Sequence, residues 1–170
     1  MKRLCHIIIL LYLLQSCSGG IKENPVKYVD LKKYTGVWYE IARLPNSFQK
    51  GCDCTTAQYE LMESGYISVT NSCIKKGKLI VATGKAFVVE GSGNSQLMVQ
   101  FQWPFKGSYN IVELDSSYNY AVVSSSGYKY LWILSRSSIM NDSLYNAIGQ
   151  RLQYIGVNTA ILIKNIKQCK

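Results

Sequence analysis

Cysteine offers most of the reactive chemistry in this 170-residue sequence, and histidine is nearly absent. Cys52, Cys54, Cys73 and Cys169 lie downstream of an N-terminal export signal, and an even number of exported cysteines predicts disulfides. We expect two disulfides, with the pairing open, and no thiolate free for catalysis. The single histidine, His6, lies in the signal, so His-based triads and His metal sites are excluded from the mature chain. We therefore predict neither an enzyme nor a protein that needs a metal or cofactor.

The N-terminus has the pattern of an export signal. Two basic residues precede an apolar run over residues 7–14 that is too short to span a bilayer. The sequence Leu14-Gln15-Ser16-Cys17 follows this run and resembles a bacterial lipobox, in which the cysteine is acylated before the signal is removed. We predict that residues 1–16 are a lipoprotein signal peptide and that Cys17 is the lipidated residue. An ordinary secretory signal with an incidental cysteine is the alternative.

The rest of the chain has the length and composition of one domain. Residues 17–27 have loop composition and are predicted to be a tether between Cys17 and the domain, which we assign to residues 28–170. The formal net charge of the whole sequence is +9, which suits an anionic membrane surface or an anionic ligand. The basic residues are scattered and form no recognition helix, so nucleic acid is not an expected partner.

Short runs rich in Val, Ile, Tyr and Thr, separated by Gly, Asn and Ser, predict an antiparallel all-β domain. In the clearest alternation, Leu97, Val99, Phe101 and Trp103 share one face, which we expect to point inward. One amphipathic helix is predicted to begin after Asn141 and to stop at Gly156. The predicted strands cover residues 36–44, 54–63, 66–73, 79–90, 96–103, 109–115, 119–125 and 129–136, with a short extra strand over 160–163.

The segment 34–45, Tyr-Thr-Gly-Val-Trp-Tyr-Glu-Ile-Ala-Arg-Leu-Pro, resembles the first motif of the lipocalin family, which is built on Gly-x-Trp. Further matches follow in family order within residues 57–61, 69–71, 114–118 and 131–136. The similarity covers residues 28–166 and points to the bacterial outer-membrane lipocalins and their relative apolipoprotein D. It implies an all-β fold: an eight-stranded antiparallel up-and-down β-barrel with one C-terminal helix and a short extra strand.

The resemblance also assigns a structural role to Gly36, Trp38 and Arg136. In the family, the tryptophan of the first strand closes the narrow end of the barrel, and the arginine of the last strand lies across its indole ring. We therefore expect a cation–π contact between Trp38 and Arg136, worth roughly 2 kcal/mol when it is desolvated. These residues are interpreted as a barrel plug and not as ligand-binding residues.

The resemblance suggests two different disulfide arrangements. Apolipoprotein D would pair Cys54 with Cys169 and leave Cys52 for Cys73. Other lipocalins tie the C-terminus to a cysteine nearer to the position of Cys73. The pairing therefore stays open, although each arrangement attaches the C-terminal tail to the barrel.

A barrel of about eight strands can hold one small ligand in its interior. Two basic residues, Arg43 and Lys106, could meet a phosphate or carboxylate at the open end, where residues 44–48 form a loop. Core packing is the alternative role for every inward residue. The inward candidates for ligand binding are Tyr59, Ile67, Val69, Ala86, Val88, Val99, Phe101, Tyr109, Ile111 and Trp132.

The resemblance implies a lipid carrier in the bacterial cell envelope. Such a protein would store or transport fatty acids or lysophospholipids while Cys17 anchors it to the periplasmic face of the outer membrane. Two alternatives differ in chemistry: a lipocalin that binds tetrapyrroles or iron chelates, and a thiol-dependent isomerase if a cysteine is free. The expected partners are a lipid and the membrane, and a homodimer is left open.

Overall fold

A computed structural model describes residues 21–165, which form a closed antiparallel barrel. Strands adjacent in sequence pair with each other, and the first strand pairs with both the second and the eighth, which closes the sheet. The fold predicted from the sequence is confirmed. Cys17 and Cys169 lie outside the described residues. The barrel strands are β1 (Gly36–Arg43), β2 (Cys52–Leu61), β3 (Ile67–Lys75), β4 (Lys78–Val88), β5 (Gln96–Gln102), β6 (Phe105–Leu114), β7 (Tyr120–Ser124) and β8 (Leu131–Ser135).

The predicted strand positions agree with the structure to within a few residues, except at the start of β6. That strand was predicted from residue 109 but begins at Phe105, because Gln102 pairs directly with Phe105 and closes a tight hairpin. The pairing register tells which side chains share a face, since directly opposed residues point to the same side of a sheet.

The predicted helix is present as α2 (Asp142–Tyr154) and packs on the outside of the barrel. Asn141 caps its first turn by accepting a hydrogen bond from the backbone N–H of Ser143. Ile148 and Leu152 bury its apolar face against outward-facing barrel residues. The chain leaves the helix through Gly156, whose φ of +93° lies in the left-handed region that favours glycine.

The extra strand predicted over residues 160–163 is only partly correct. Residues Thr159–Ile161 form a 3-10 helix, because the Asn158 side chain accepts a hydrogen bond from the backbone N–H of Ala160. The strand that follows, β9 (Ile163–Lys164), is two residues long and pairs with the end of β1.

The two ends of the barrel are built differently. At one end, which we call the floor, a short helix α1 (Leu31–Tyr34) precedes β1 and sends Tyr34 into the buried interior. Helix α1, whose N-cap is Asp30, is not among the elements predicted from the sequence. The other end is called the mouth, and its longest connection, residues 44–51, is called the mouth loop. The floor loops are residues 62–66, 89–95 and 115–119, and the remaining mouth connections are residues 76–77, 103–104 and 125–130.

The barrel wall divides near the mouth between β4 and β5. These strands pair only where Lys85–Val88 meets Leu97–Gln100. Among the described residues, the mouth half of β4, residues 78–84, is paired on one side alone, with β3. At the point of division the strands are close: a Cβ on Gly84 would lie 2.7 Å from the Gln100 carbonyl oxygen and 2.9 Å from the Phe101 ring. We call the opening above this point the slit.

Residues 21–27 do not form the free tether that the sequence predicts. Together with residues 28–30 they lie along the barrel, and we call residues 21–30 the strap. Val29 is fully buried among the floor residues, and its N–H donates to the Gly93 carbonyl, 2.8 Å away. The Val26 N–H donates to the Ile111 carbonyl over 2.9 Å. The strap is held because Val29 is buried, Ile21 and Val26 are partly buried, and its backbone donates hydrogen bonds to the barrel.

Candidate functional site

Three tyrosines close the floor half of the barrel interior. The Tyr109 hydroxyl hydrogen-bonds to the hydroxyls of Tyr34, 2.7 Å away, and Tyr59, 3.0 Å away. We call Tyr34, Tyr59 and Tyr109 the tyrosine trio. Burial raises the pKa of Tyr59 to about 12 and places the pKa values of Tyr34 and Tyr109 well above the ordinary value. The phenol groups therefore satisfy one another in their neutral form.

The predicted contact between Trp38 and Arg136 is present at the floor. The guanidinium carbon lies 3.8 Å from the centroid of the buried Trp38 ring, and the Trp38 indole N–H donates to the Tyr34 carbonyl. Arg136 also donates to the carbonyls of Val37 and Lys33, over 2.8 and 2.7 Å, and to two further carbonyls of the α1 segment. The guanidinium thus joins β8 to the segment that covers the floor. A Cβ on Gly36 would lie 3.3 Å from this guanidinium.

The structure divides the predicted ligand-binding residues into groups. The residues that pack against one another in the buried floor core are Tyr59, Ile67, Val69, Ala86, Tyr109 and Ile111. Val99 and Trp132 are partly buried at the edge of that core, on the side toward the mouth. Phe101 is 46% exposed near the mouth. Val88 is at the floor end of β4 and is 37% exposed, so it is separated from the others.

The less buried of these candidates lie toward the mouth, and we call the mouth half of the barrel interior the cup. Its walls include Val99, Phe101 and Trp132, and its base is the tyrosine trio with the residues packed around it. Small residues line β4 here, since Gly84 alternates with Ala82 and Ala86 on the inward face, and the Phe101 ring occupies the space where a side chain of residue 84 would lie. Whether each lining residue contacts a ligand stays a prediction.

A buried polar network lies in the wall of the cup. Arg43 donates to the Glu40 carboxylate over 2.6 Å and to the backbone carbonyl of Gln49 over 3.2 Å. The Gln49 side chain donates to the other oxygen of Glu40 and accepts the indole N–H of Trp132. Both charged side chains are about 4% exposed. The network fastens the mouth loop to the inner wall, and Phe48 of that loop packs on the Trp132 ring with 6.4 Å between centroids.

Glu40 and Arg43 both face inward because β1 contains a bulge. Glu40 opposes Leu134 and Arg43 opposes Trp132, and both partners belong to the interior, whereas Ala42 between them faces the outer helix. Burial raises the pKa of Glu40, an effect that Arg43 and Gln49 oppose. Arg43, which we expected could meet a phosphate or carboxylate at the open end, is paired with the Glu40 carboxylate, which compensates its charge.

Three buried side-chain polar atoms are unpaired within residues 21–165: Nε of Arg43, Oγ1 of Thr55 and Oδ1 of Asn71. Asn71 lies on the inward face of β3 with Val69. A buried polar group without a partner costs free energy, so a polar group of a ligand could relieve that cost. The cup therefore combines apolar walls with a few polar positions, as small-molecule sites do.

Lys106 lies on the outer wall and not in the cup. Its ammonium group sits 4.8 Å from the centroid of the Phe87 ring, and Phe87 opposes Met98 on the outward face. We expected that Lys106 could meet a phosphate or carboxylate at the open end; β6 points this side chain outward, next to the inward Gly107, and not into the cup.

The cysteine chemistry is partly resolved. Cys52 and Cys73 form a disulfide between the start of β2 and the end of β3, with their Cα atoms 5.5 Å apart. Cys54 is also disulfide-bonded. The apolipoprotein D resemblance implies Cys169 as its partner; Cys169 lies outside the described residues, so that pairing stays a prediction. Within residues 21–165, no group of three or more His, Cys, Asp or Glu side chains is arranged to hold a metal ion.

Tyr34, Glu40 and Gln49 belong to the site but are not among the site residues that the sequence predicts. The signal for Glu40 was available, because alternation from the inward Trp38 places it on the same face. Asp30 is a good N-cap and could have indicated α1 and hence Tyr34. Gln49 had no sequence signal, since a loop side chain is positioned only by the completed barrel.

Comparison with known proteins finds relatives that cover most of the chain. A family model described as a lipocalin-like domain matches residues 29–167. A protein of Acanthamoeba polyphaga mimivirus, named as a lipocalin, is 42% identical over 144 residues, 81% of this chain and 84% of that protein. The outer membrane lipoprotein Blc of Vibrio cholerae is 38% identical over 165 residues, 95% of this chain and 96% of that protein. The structure of lobster apocrustacyanin matches with a TM-score of 0.67 at 23% identity, covering 81% of this chain and 79% of that one, a similarity of fold alone.

Proposed function

The chain belongs to the lipocalin family, and from this premise we propose that it is a membrane-anchored carrier of fatty acids or lysophospholipids in a bacterial cell envelope. Lipid binding and transport is the class of function that the family and its outer membrane lipoprotein relatives imply. The proposal adds the ligand, the anchor and the location to that class.

The observation that carries the ligand proposal is the division of the barrel interior into a packed floor and an apolar cup. The partly buried Val99 and Trp132 and the exposed Phe101 line the cup next to small residues of β4. An acyl chain fits such walls, because each buried methylene group contributes about 0.8 kcal/mol. A carboxylate or phosphate would lie toward the mouth, in reach of water, because Arg43 is already paired with Glu40.

The anchor and the location rest on the sequence. The lipobox-like Leu14-Gln15-Ser16-Cys17 supports acylation of Cys17, and the Vibrio cholerae relative is named an outer membrane lipoprotein. We propose attachment at the periplasmic face of the outer membrane. No helix in the described part of the chain is long and apolar enough to cross a membrane.

The alternative functions have less support. A thiol-dependent isomerase needs a free cysteine near the mouth, but Cys52, Cys54 and Cys73 are all disulfide-bonded. For a tetrapyrrole or iron-chelate ligand, no feature of the cup within the described residues specifically favours binding. The geometry therefore favours a binding protein with an apolar ligand.

The ligand proposal is tested by filling the cup. A Val99→Trp variant should bind fatty acid or lysophospholipid at least about tenfold more weakly, or about 1.4 kcal/mol, measured by displacement of a fluorescent fatty acid. Met98→Trp is the matched control, because the neighbouring side chain points to the outer surface and should leave affinity unchanged. Unchanged affinity in a folded Val99→Trp protein would show that the cup is not the binding site.

The anchor proposal has a separate test. Intact mass measurement of protein extracted from its membrane should show an acylated Cys17 at the N-terminus. A Cys17→Ser variant should lose the acyl groups while its ligand affinity is unchanged. A wild-type chain that carries no acyl mass would refute the anchor and leave the ligand proposal standing.

A further inference from the structure

We propose that the mouth of the barrel docks on an anionic phospholipid bilayer, the one to which Cys17 is attached, so that lipid passes between the bilayer and the cup directly. The proposal rests on the proposed function for the anchor and for the ligand class. The docking surface itself is inferred from the strap, the mouth hairpins and the charge distribution.

The strap determines which end of the barrel is near Cys17. It starts at the floor, where Val29 is buried and bound to Gly93. It then climbs the outer wall: the Glu23 carboxylate accepts hydrogen bonds from Asn110 and Ser124, each over 2.7 Å, and these two residues oppose each other on the outward face of β6 and β7.

The strap ends beside the mouth. Ile21 lines a groove of about 300 Å³ together with Leu44 and Pro45 of the mouth loop and with Tyr128, from the connection between β7 and β8. Only residues 18–20 separate Ile21 from Cys17, and the four residue steps between them span at most about 14 Å when extended. An acyl group on Cys17 is therefore held on the mouth side of the molecule.

Two hairpins at the mouth expose large apolar side chains. We call residues 74–81, around the turn between β3 and β4, and residues 101–106, around the turn between β5 and β6, the rim. Trp103 is 83% exposed, Phe105 is 72% exposed and Leu79 is 64% exposed. Side chains of this size, clustered and exposed, indicate an interaction surface. Trp and Phe next to lysines are typical of segments that lie in the interface of a bilayer.

The charges of the molecule are separated along the barrel axis. The rim contains four lysines and no acidic residue: Lys75, Lys76, Lys78 and Lys106. The mouth connections add Lys50 and Lys129, again without an acidic residue. The three floor loops instead contain Glu63, Glu90 and Asp115 and no lysine or arginine. Near α1 the floor also has Lys27, Lys32, Lys33 and Arg136 with Asp30, so the floor is close to neutral while the mouth is cationic. This pattern suits an anionic membrane at the mouth, where each lysine is worth about 1 kcal/mol.

The slit adjoins the docked surface. Because β4 and β5 separate between the two rim hairpins, the apolar walls of the cup continue outward to Phe101 and to the exposed Ile80. A lipid that leaves the bilayer at the rim could therefore keep its acyl chain in contact with apolar surface. A second copy of the chain or an apolar partner protein would also cover the rim, but the lysines favour a polyanionic lipid surface over a second cationic copy.

The test is vesicle binding by the exported chain carrying Cys17→Ser, which removes the anchor. The chain should sediment with vesicles of equal parts phosphatidylglycerol and phosphatidylcholine and much less with phosphatidylcholine alone. Reversing two rim charges, Lys76→Glu with Lys78→Glu, should lower the partition coefficient at least about tenfold. The same change at the floor, Lys27→Glu with Lys32→Glu, is the matched control and should have a much smaller effect.

The apolar part of the rim has its own variant. Trp103→Ser with Phe105→Ser should lower vesicle binding about tenfold or more, whereas Tyr154→Ser, at an exposed aromatic residue of α2, should not. In the anchored wild type, brominated phospholipid should quench part of the tryptophan fluorescence, and the Trp103→Phe variant should lack this quenched part. Quenching of Trp103 would place the mouth against the bilayer.

Several results would overturn the docking proposal. One is that the chain does not bind anionic vesicles. A second is that the rim and floor variants lose vesicle binding equally. A third is that the chain forms a concentration-dependent dimer and does not bind vesicles, and that the rim variants abolish this dimer. These outcomes are distinct from failure of the proposed function. The Val99→Trp variant should dock normally while it binds monomeric lipid weakly, and a rim variant should bind monomeric lipid normally while it docks weakly.

Discussion

Arg136 links the last barrel strand to the segment that covers the floor. It donates hydrogen bonds to the carbonyls of Lys33, Thr35 and Val37 and lies on Trp38. A guanidinium can serve several acceptors at once because its five N–H groups form a planar fork, which an ammonium group cannot reproduce. The side chain is half-buried, so water screens part of its contribution.

We predict that Arg136→Lys lowers the free energy of unfolding by about 2 kcal/mol, because several carbonyls lose a charged donor. Urea denaturation followed by tryptophan fluorescence measures the loss. Arg151→Lys is the control: Arg151 pairs with Glu113 on the surface, and such exposed pairs are worth less than about 1 kcal/mol. Equal losses at the two positions would contradict the floor-closing role.

The tyrosine trio predicts a loss of stability at alkaline pH. Burial raises the pKa of Tyr59 to about 12 from its ordinary value of 10.0, so the folded chain keeps a proton that the unfolded chain releases. Stability is therefore unaffected below pH 10 and falls as the pH rises toward 12, by about 1.4 kcal/mol per pH unit for each such tyrosine.

The Tyr59→Phe variant should reduce the slope of the alkaline decline in stability by the contribution of one proton. It should also lower stability at neutral pH, because Tyr109 loses a hydrogen-bond partner. Urea midpoints measured at several pH values between 9 and about 11.5 give the slope. The exposed Tyr154→Phe leaves the trio intact and should keep the wild-type slope. A Tyr59→Phe slope identical to that of wild type would show that Tyr59 does not retain its proton in the folded state.

The strap illustrates an element that the sequence does not reveal. Its buried Val29 and its partly buried Ile21 and Val26 follow neither the two-residue period of a strand nor the period of a helix, so residues 17–27 read as a loop. What holds the strap in place are partners far along the chain, among them Gly93 and Asn110. Such contacts exist only after the barrel has formed.

The barrel strands, in contrast, were predictable because the alternation of inward apolar and outward side chains is visible within each short stretch of sequence. Leu97 and Val99 share an inward face, as their spacing indicates. The same rule failed at Arg43, because the bulge between Glu40 and Ala42 shifts the alternation by one residue, and nothing local encodes that shift. The plug was predictable only through the family resemblance, since Trp38 and Arg136 are distant in sequence.

Glu23 attaches the strap to the outer wall of the barrel midway between the floor and the mouth, through its hydrogen bonds with Asn110 and Ser124. A Glu23→Ala change should leave the buried Asn110 amide and Ser124 hydroxyl without their acceptor. It should lower the free energy needed to detach the strap from the barrel by about 1 to 3 kcal/mol. Hydrogen exchange should show faster exchange at residues 21–27, with the barrel strands unchanged. Lys22→Ala, at an exposed neighbour, is the control and should alter neither measurement. Uniformly faster exchange in the Glu23→Ala barrel would mean that the strap and the barrel unfold together.

The whole molecule has two unlike halves. The floor half is packed by the tyrosine trio, the plug and the buried residues around them. The mouth half contains the cup, the slit and the mouth loop, which Gln49 fastens to Glu40 and Trp132. A ligand in the cup would replace water beside the mouth elements and would leave the floor contacts as they are. Binding should therefore stabilise the molecule unevenly.

We predict that saturation with oleate or with lysophosphatidylglycerol slows hydrogen exchange in the mouth loop and in residues 78–84 of β4, the half-paired edge of the slit. Exchange at the floor, in α1 and around Tyr109, should slow only as much as the rise in global stability requires. That rise is about 2.7 kcal/mol when the free ligand is at one hundred times its Kd. In the Val99→Trp variant the same lipid concentration should have little effect on the mouth. Slower exchange confined to the outer groove beside Ile21 would place the ligand outside the barrel, because the groove and the cup lie on opposite faces of the wall.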